Sequence, residues 1–145
     1  MRAEHLLAAS LCAAVLSGCT ATTTMYSSDS QSVVKINEDA PLVLSNPVQK
    51  TYKATSFGQY QFEVTQAGRE PMYGLVPLKF NGGYLTADIL FFAPALFYNL
   101  REVYPLYEFD IEQGVVRYKK NEQDQWMTYK PTAAEAERAR NYFQR

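Results

Sequence analysis

The sequence predicts a mainly β protein: a small antiparallel sandwich-like domain with an apolar helical insertion and a C-terminal helix. Three observations carry this. Tyr60, Phe62 and Val64 alternate with Gln59, Gln61, Glu63 and Thr65, the period of a half-buried strand. Tyr107, Phe109 and Ile111 alternate in the same way with Glu108, Asp110 and Glu112. Turn residues recur between these runs at short intervals, as in sandwiches built from many short strands. Tyr and Phe are abundant, 11 and 8 respectively, and Tyr suits strands with one wet and one dry face.

The chain is expected to divide into a signal segment over 1–18, a flexible tether over 19–31 and one domain over 32–145. The first 18 residues have the parts of a secretory signal: a short polar start with Arg2, an apolar run from Leu6 to Leu16, and small Ser17-Gly18. The apolar run has about ten residues, short of the roughly 20 that span a bilayer. Thr20 to Gln31 (TATTTMYSSDSQ) holds few large apolar groups, which predicts a solvated tether.

From Ser32 onward strands are expected. Val33, Val34 and Ile36 form the first and end at Asn37-Glu38-Asp39. A short second falls within Pro41–Leu44, and Pro47–Thr55 holds a third. Ser56-Phe57-Gly58 reads as a turn, Gln59–Thr65 as the clearest strand, and Ala67-Gly68 as its end. Tyr73–Phe80 is interrupted by Gly74 and Pro77, which places it at a sheet edge. Asn81-Gly82-Gly83 is a turn. The run from Tyr84 to Leu100 (YLTADILFFAPALFYNL) is the most apolar stretch after the signal, with Thr86 as a helix cap and Pro94 as a kink. Two readings of it stand: a core-filling helix or bent crossover, or a surface for lipid or a partner that would use Phe91, Phe92 and Phe97. Beyond it come the Tyr107–Ile111 strand, a turn at Gly114, a return strand through Val116, Tyr118 and Lys120, a turn at Asn121–Asp124, and a last strand over Trp126–Tyr129. Thr132 with Glu135 forms a capping box, which starts a peripheral helix that runs to Phe143. Ala136, Ala139 and Phe143 line its buried face, and Glu135 with Arg138 and Glu137 with Arg140 are spaced to pair.

Leu16-Ser17-Gly18-Cys19 resembles the lipobox of bacterial lipoproteins. The resemblance implies cleavage before Cys19, a diacylglyceryl group on its thiol, and an acyl chain such as palmitate on the new amine. Two or three chains, at about 0.8 kcal/mol per buried CH₂, make a lasting membrane anchor. The bland reading is an ordinary signal peptide with Cys19 as a bystander. Thr20 stands where an Asp marks retention at the inner membrane in Gram-negative lipoproteins, so the resemblance points to the outer membrane of the bacterial envelope. The middle of the chain also resembles PEGA or carboxypeptidase-regulatory-like β-sandwich domains. The resemblance rests on Gly58-Gln59-Tyr60-Gln61-Phe62-Glu63-Val64 and Ala67-Gly68-Arg69-Glu70-Pro71, while the Pro-x-Gly-Ala segment that names the family is absent. It implies a structural or interaction module.

Composition narrows the chemistry. The formal net charge is −1, which gives no electrostatic case for nucleic acid. Removal of the signal takes His5 and Cys12, the one histidine and one of two cysteines. The processed chain then lacks the residues for a Ser-His-Asp triad, a Cys-His pair, or a His or Cys zinc site. The expectation is therefore a non-catalytic envelope lipoprotein with no cofactor and no metal, whose partners are the membrane through its lipid and an envelope protein. Rival readings are a membrane-contacting or pore-associated protein that uses 84–100, and a carboxylate-dependent glycan hydrolase. For the last, Glu108, Asp110 and Glu112 would lie on one face of a strand, suited to Ca²⁺ or, with Asp88, to an acid pair; the simpler reading leaves them facing water. Trp126 with Tyr118 and Tyr129 suggests either a sugar platform or cross-strand packing.

Overall fold

Alternating side chains set the strands, and which face of each is apolar decides how they stack. The computed structural model describes residues 20–53, 59–80 and 101–145. The described strands are β1 (Thr20–Ser27), β2 (Val33–Ile36), β3 (Leu42–Val43), β4 (Val48–Lys53), β5 (Gln61–Thr65), β6 (Met72–Leu75), β7 (Leu78–Phe80), β8 (Arg101–Val103), β9 (Leu106–Asp110), β10 (Val115–Lys119) and β11 (Met127–Tyr129). The one helix among the described residues, α1, spans Ala133–Phe143. The chain is mainly β, as its alternation predicts. The signal segment, Cys19, the Ser56–Gly58 and Asn81–Gly83 turns and the 84–100 insertion lie outside the described residues.

The strands form a five-stranded sheet in the order β11-β10-β9-β1-β4 and a four-stranded sheet in the order β3-β2-β5-β6, with β7 and β8 as a separate pair. The inner faces of the two larger sheets meet in one apolar core. Met25, Tyr52, Tyr107, Phe109 and Val116 come from the first sheet, and Val34, Ile36, Phe62 and Val64 from the second. The rings of Phe62 and Phe109 meet edge to face across the gap, 5.4 Å between centroids. Val103 and Tyr104 complete the core, and the Tyr107 hydroxyl holds that corner: it accepts from the Tyr104 amide at 2.9 Å and donates to the Pro77 carbonyl.

The expected tether is the main correction. Thr20–Ser27 is a strand, and an interior one, antiparallel to β4 and parallel to β9. Its composition misleads because a strand needs apolar groups at alternate positions alone. Ala21, Thr23 and Met25 point inward, and Thr23 and Met25 are buried, whereas Thr20, Thr22 and Thr24 point out. β-branched Thr favours the extended backbone on either face. The rest of the expected tether is a polar loop fastened to the fold. The Ser27 hydroxyl donates to the Phe109 carbonyl at 2.8 Å and accepts from the Asp29 amide at 3.1 Å, and fully buried Ser32 lies 3.0 Å from it. The β1–β9 pairing also makes the five-stranded sheet mixed where the sequence suggested an antiparallel one.

The remaining elements follow the sequence closely. β2, β3, β4, β5, β10 and β11 fall within or beside their predicted runs. Asn37 takes φ 48° at the predicted turn after β2, and its side chain accepts from the Gln61 amide at 2.8 Å. The Tyr73–Phe80 run breaks at Val76-Pro77 into β6 and β7, and β6 is a sheet edge. β9 ends at Asp110, so Ile111 and Glu112 belong to the turn before Gly114, whose φ is 66°.

Helix α1 lies on the outer face of the four-stranded sheet, against β6 and β5. Ala139 is buried there, and Phe143 sits beside Tyr73. The capping box forms as predicted: the Glu135 amide donates to Thr132 Oγ1 and the Thr132 amide to Glu135 Oε2. Those hydrogen bonds hold the Glu135 carboxyl below the ordinary range. The paired arginines of the sequence reading also take other partners, and Arg138 still stabilises the Glu135 charge. Arg138 donates to Gln59 Oε1 at 3.0 Å, and Arg140 lies over the Tyr73 ring.

To reach that outer face the chain passes the β6 edge at Pro131. Gly74 makes the passage possible. A β-carbon there would fall 2.6 Å from Pro131 Cγ and 2.7 Å from the Phe62 ring. Gly74→Ala is therefore expected to destabilise the domain by about 1–3 kcal/mol through overpacking. Urea unfolding of the variant beside the parent checks this, and an unchanged midpoint would contradict the close passage.

Candidate functional site: the exposed face of the five-stranded sheet

The five-stranded sheet has its inner face in the core, and its outer face carries Glu108, Asp110 and Trp126 of the groups that the sequence singles out. Strand register brings them together. Arg117 on β10 stands opposite Glu108 on β9, which in turn stands beside Tyr26 on β1. Two residues further along, Val115 pairs with Asp110.

Arg117 organises the acidic side of this face. Its Nη1 lies 3.2 Å from Glu108 Oε1 and its Nη2 2.9 Å from Asp110 Oδ2. The guanidinium also donates to Gln113 Oε1 at 3.2 Å. Asp110 is 4% exposed, and its second oxygen accepts from the Gln113 amide at 2.9 Å, which closes the β9–β10 turn. Glu112 leaves the strand face and pairs with Arg69 at 3.7 Å. The three carboxylates thus do not converge: two share one guanidinium and the third serves another arginine. An acid pair for glycan cleavage needs two carboxyl groups that flank a substrate. Here Glu108 and Asp110 flank Arg117. Asp88 lies outside the described residues.

The aromatic group also differs from the sequence reading. Trp126, Tyr118 and Tyr129 are not brought together. Tyr118 points inward and stacks on Tyr104 at 4.6 Å, and Tyr129 packs against the core. Trp126 is on the outer face and 37% exposed. Its neighbours are Tyr26, edge to face at 5.7 Å, and Lys119, whose Nζ lies 5.0 Å from the ring centre. Burial, and then the nearby Glu108 charge, pushes the Tyr26 hydroxyl pKa up, so it stays a neutral donor. The other candidates, Cys19, Phe91, Phe92 and Phe97, lie outside the described residues.

Sequence reasoning missed Tyr26, Lys119 and Arg117. For Arg117 the signal was present: a turn over Ile111–Gly114 sets Asp110 opposite Val115 and so Glu108 opposite Arg117. Tyr26 was hidden because its strand was read as a tether.

The face that results carries an ion-paired cluster and, beside it, an amphipathic aromatic pair with a cation over the Trp126 ring. Such a surface suits contact with a partner: Trp and Tyr supply area at small entropic cost, and the clamped ions stay in place. No family model, no curated protein and no solved structure matches the chain.

Arg117→Met removes the shared partner of two carboxylates, one of them buried. The expected loss is about 2–3 kcal/mol of stability, the scale of hydrogen bonds to charged groups. Adding Asp110→Leu is expected to restore part of it, because the buried unpaired charge is then gone. A double-mutant cycle by thermal or urea unfolding checks both, and additive losses would contradict the shared network.

Proposed function

We propose that this chain is a lipid-anchored protein of the bacterial envelope whose β domain acts as a non-catalytic structural or interaction module. The anchor is Cys19, acylated after removal of residues 1–18. The reading is supported by the apolar Leu6–Leu16 run and the lipobox-like Leu16-Ser17-Gly18-Cys19. Thr20, in place of Asp, supports the outer membrane over the inner.

The observation that carries the module's role is the pairing of the acidic residues. Glu108 and Asp110 are held by Arg117, while Trp126, with Tyr26 and Lys119, stays at the surface. Acids spent on a structural cation favour binding over proton transfer, since a general acid must be free to exchange its proton with substrate. The partner is then an envelope protein that docks on the outer face of the five-stranded sheet.

Two measurements test this. In cells given an alkynyl fatty acid, the full chain is expected to take up the label and sediment with membranes, and Cys19→Ala to do neither. An unlabelled parent chain would overturn the anchor. A photo-crosslinker at Trp126 is expected to give a discrete protein adduct in intact cells. Its absence, with adducts formed elsewhere on the domain, would move the interface off this face.

A further inference from the structure

The residue proposed to carry the lipid and the first residue of the fold are neighbours. Adjacent Cα atoms are about 3.8 Å apart. Thr20 is already part of β1, in register with Lys53 on β4. An extended tether over 19–31 would have let the domain stand off by roughly 40 Å. With β1 folded, that reach is gone.

We propose that the domain stands directly on the membrane, with lipid headgroups against the end of the five-stranded sheet that carries Thr20 and Lys53. This rests on the lipid-anchored reading and adds an orientation to it. Strand direction says what lies at that end. β4 runs antiparallel to β1 and finishes there, whereas β9 starts and β10 ends level with Thr24, four residues or roughly 13 Å further along β1. Lys53 ends β4 at that end, and Lys119-Lys120 leaves β10 above it, level with Thr24 and heading the same way. Lys53 and Lys120 are exposed, and neither has an acidic partner among the described residues.

The turn that follows β10 holds Glu122 and Asp124, the latter accepting from Asn121 Nδ2 at 2.9 Å. Charge there is mixed, so attraction to anionic lipid is a minor force. The one-bond leash sets the orientation, and Lys53 meets headgroup phosphates once it is there. The opposite end carries the loop around Ser30 and the turn where Arg69 meets Glu112. Eight residues of strand put it roughly 25 Å further from the bilayer. The outer face with Trp126 then rises from the membrane as a wall, open to a partner from the side.

The test uses the full lipidated chain in vesicles of phosphatidylethanolamine with a minority of phosphatidylglycerol. Processing removes Cys12 and lipid occupies the Cys19 thiol, so Lys53→Cys or Ser30→Cys supplies the sole free thiol for a fluorophore. With a quencher attached to lipid headgroups, position 53 is expected to be quenched several-fold more than position 30. Equal quenching, in chains that carry lipid and float with the vesicles, would overturn the orientation and leave the anchor intact. Chains that neither carry lipid nor float would remove the anchored reading, and this inference with it. A flexible Gly-Ser segment inserted between Cys19 and Thr20 is expected to abolish the contrast. A contrast that survives the insertion would contradict the leash as its cause.

Discussion

The pairing of β1 with two strands at once is the constraint on which the rest of this fold depends. β4 has no other partner in its sheet, and β9 has β1 on one side and β10 on the other. Take β1 away and the five-stranded sheet becomes a lone strand and a three-stranded remnant. The core would lose Met25, which is fully buried between Tyr107 and Val48 in the register. Burying such a side chain contributes about 2 kcal/mol, before the strand's two ladders of hydrogen bonds are counted. Those ladders cross the longest sequence separations in the sheet, so β1 also ties the start of the domain to its final third.

The two edges of the four-stranded sheet are handled by different local devices. β3 has two residues and offers little backbone to a stranger. β6 has α1 over its outer face and Pro131 at its edge, made possible by Gly74. Some of the polar groups that the layers enclose are paired, while the buried Thr23 and Tyr52 hydroxyls have no hydrogen-bond partner among the described residues. The Tyr107 hydroxyl ties β9 to the β6–β7 bend, Ser27 and Ser32 close the loop after β1, and Asp110 receives both a guanidinium and a turn amide. On the outer face of the five-stranded sheet, Asp110 and Val115 are buried while Trp126 stays exposed.

Much of this was legible in the residues. Strands with strict alternation, such as Gln61–Thr65, and the capping box at Thr132 and Glu135 are local signals, and each lies where the sequence places it. What depends on distant pairing was not legible. Thr20–Ser27 looks like a tether because its composition is polar, and only β4 and β9 on its flanks make it a strand. The acids of β9 looked solvent-facing because Arg117 comes from the next strand. Trp126 looked like a partner of Tyr118, but alternation along β10 and β11 turns Tyr118 inward toward Tyr104 while Trp126 stays out with Tyr26. Composition counts groups, whereas burial depends on which face each group takes and what register puts opposite it.

Amide hydrogen exchange across Thr20–Ser27 tests the central claim most directly. The Thr24 amide, which donates to the Pro105 carbonyl at 2.8 Å, is the best single reporter. An interior strand predicts that it exchanges as slowly as the amides of β9 around Phe109, and that all open together in the global unfolding step. Exchange at the rate of an unstructured chain, with β9 still protected, would contradict the account and restore the tether.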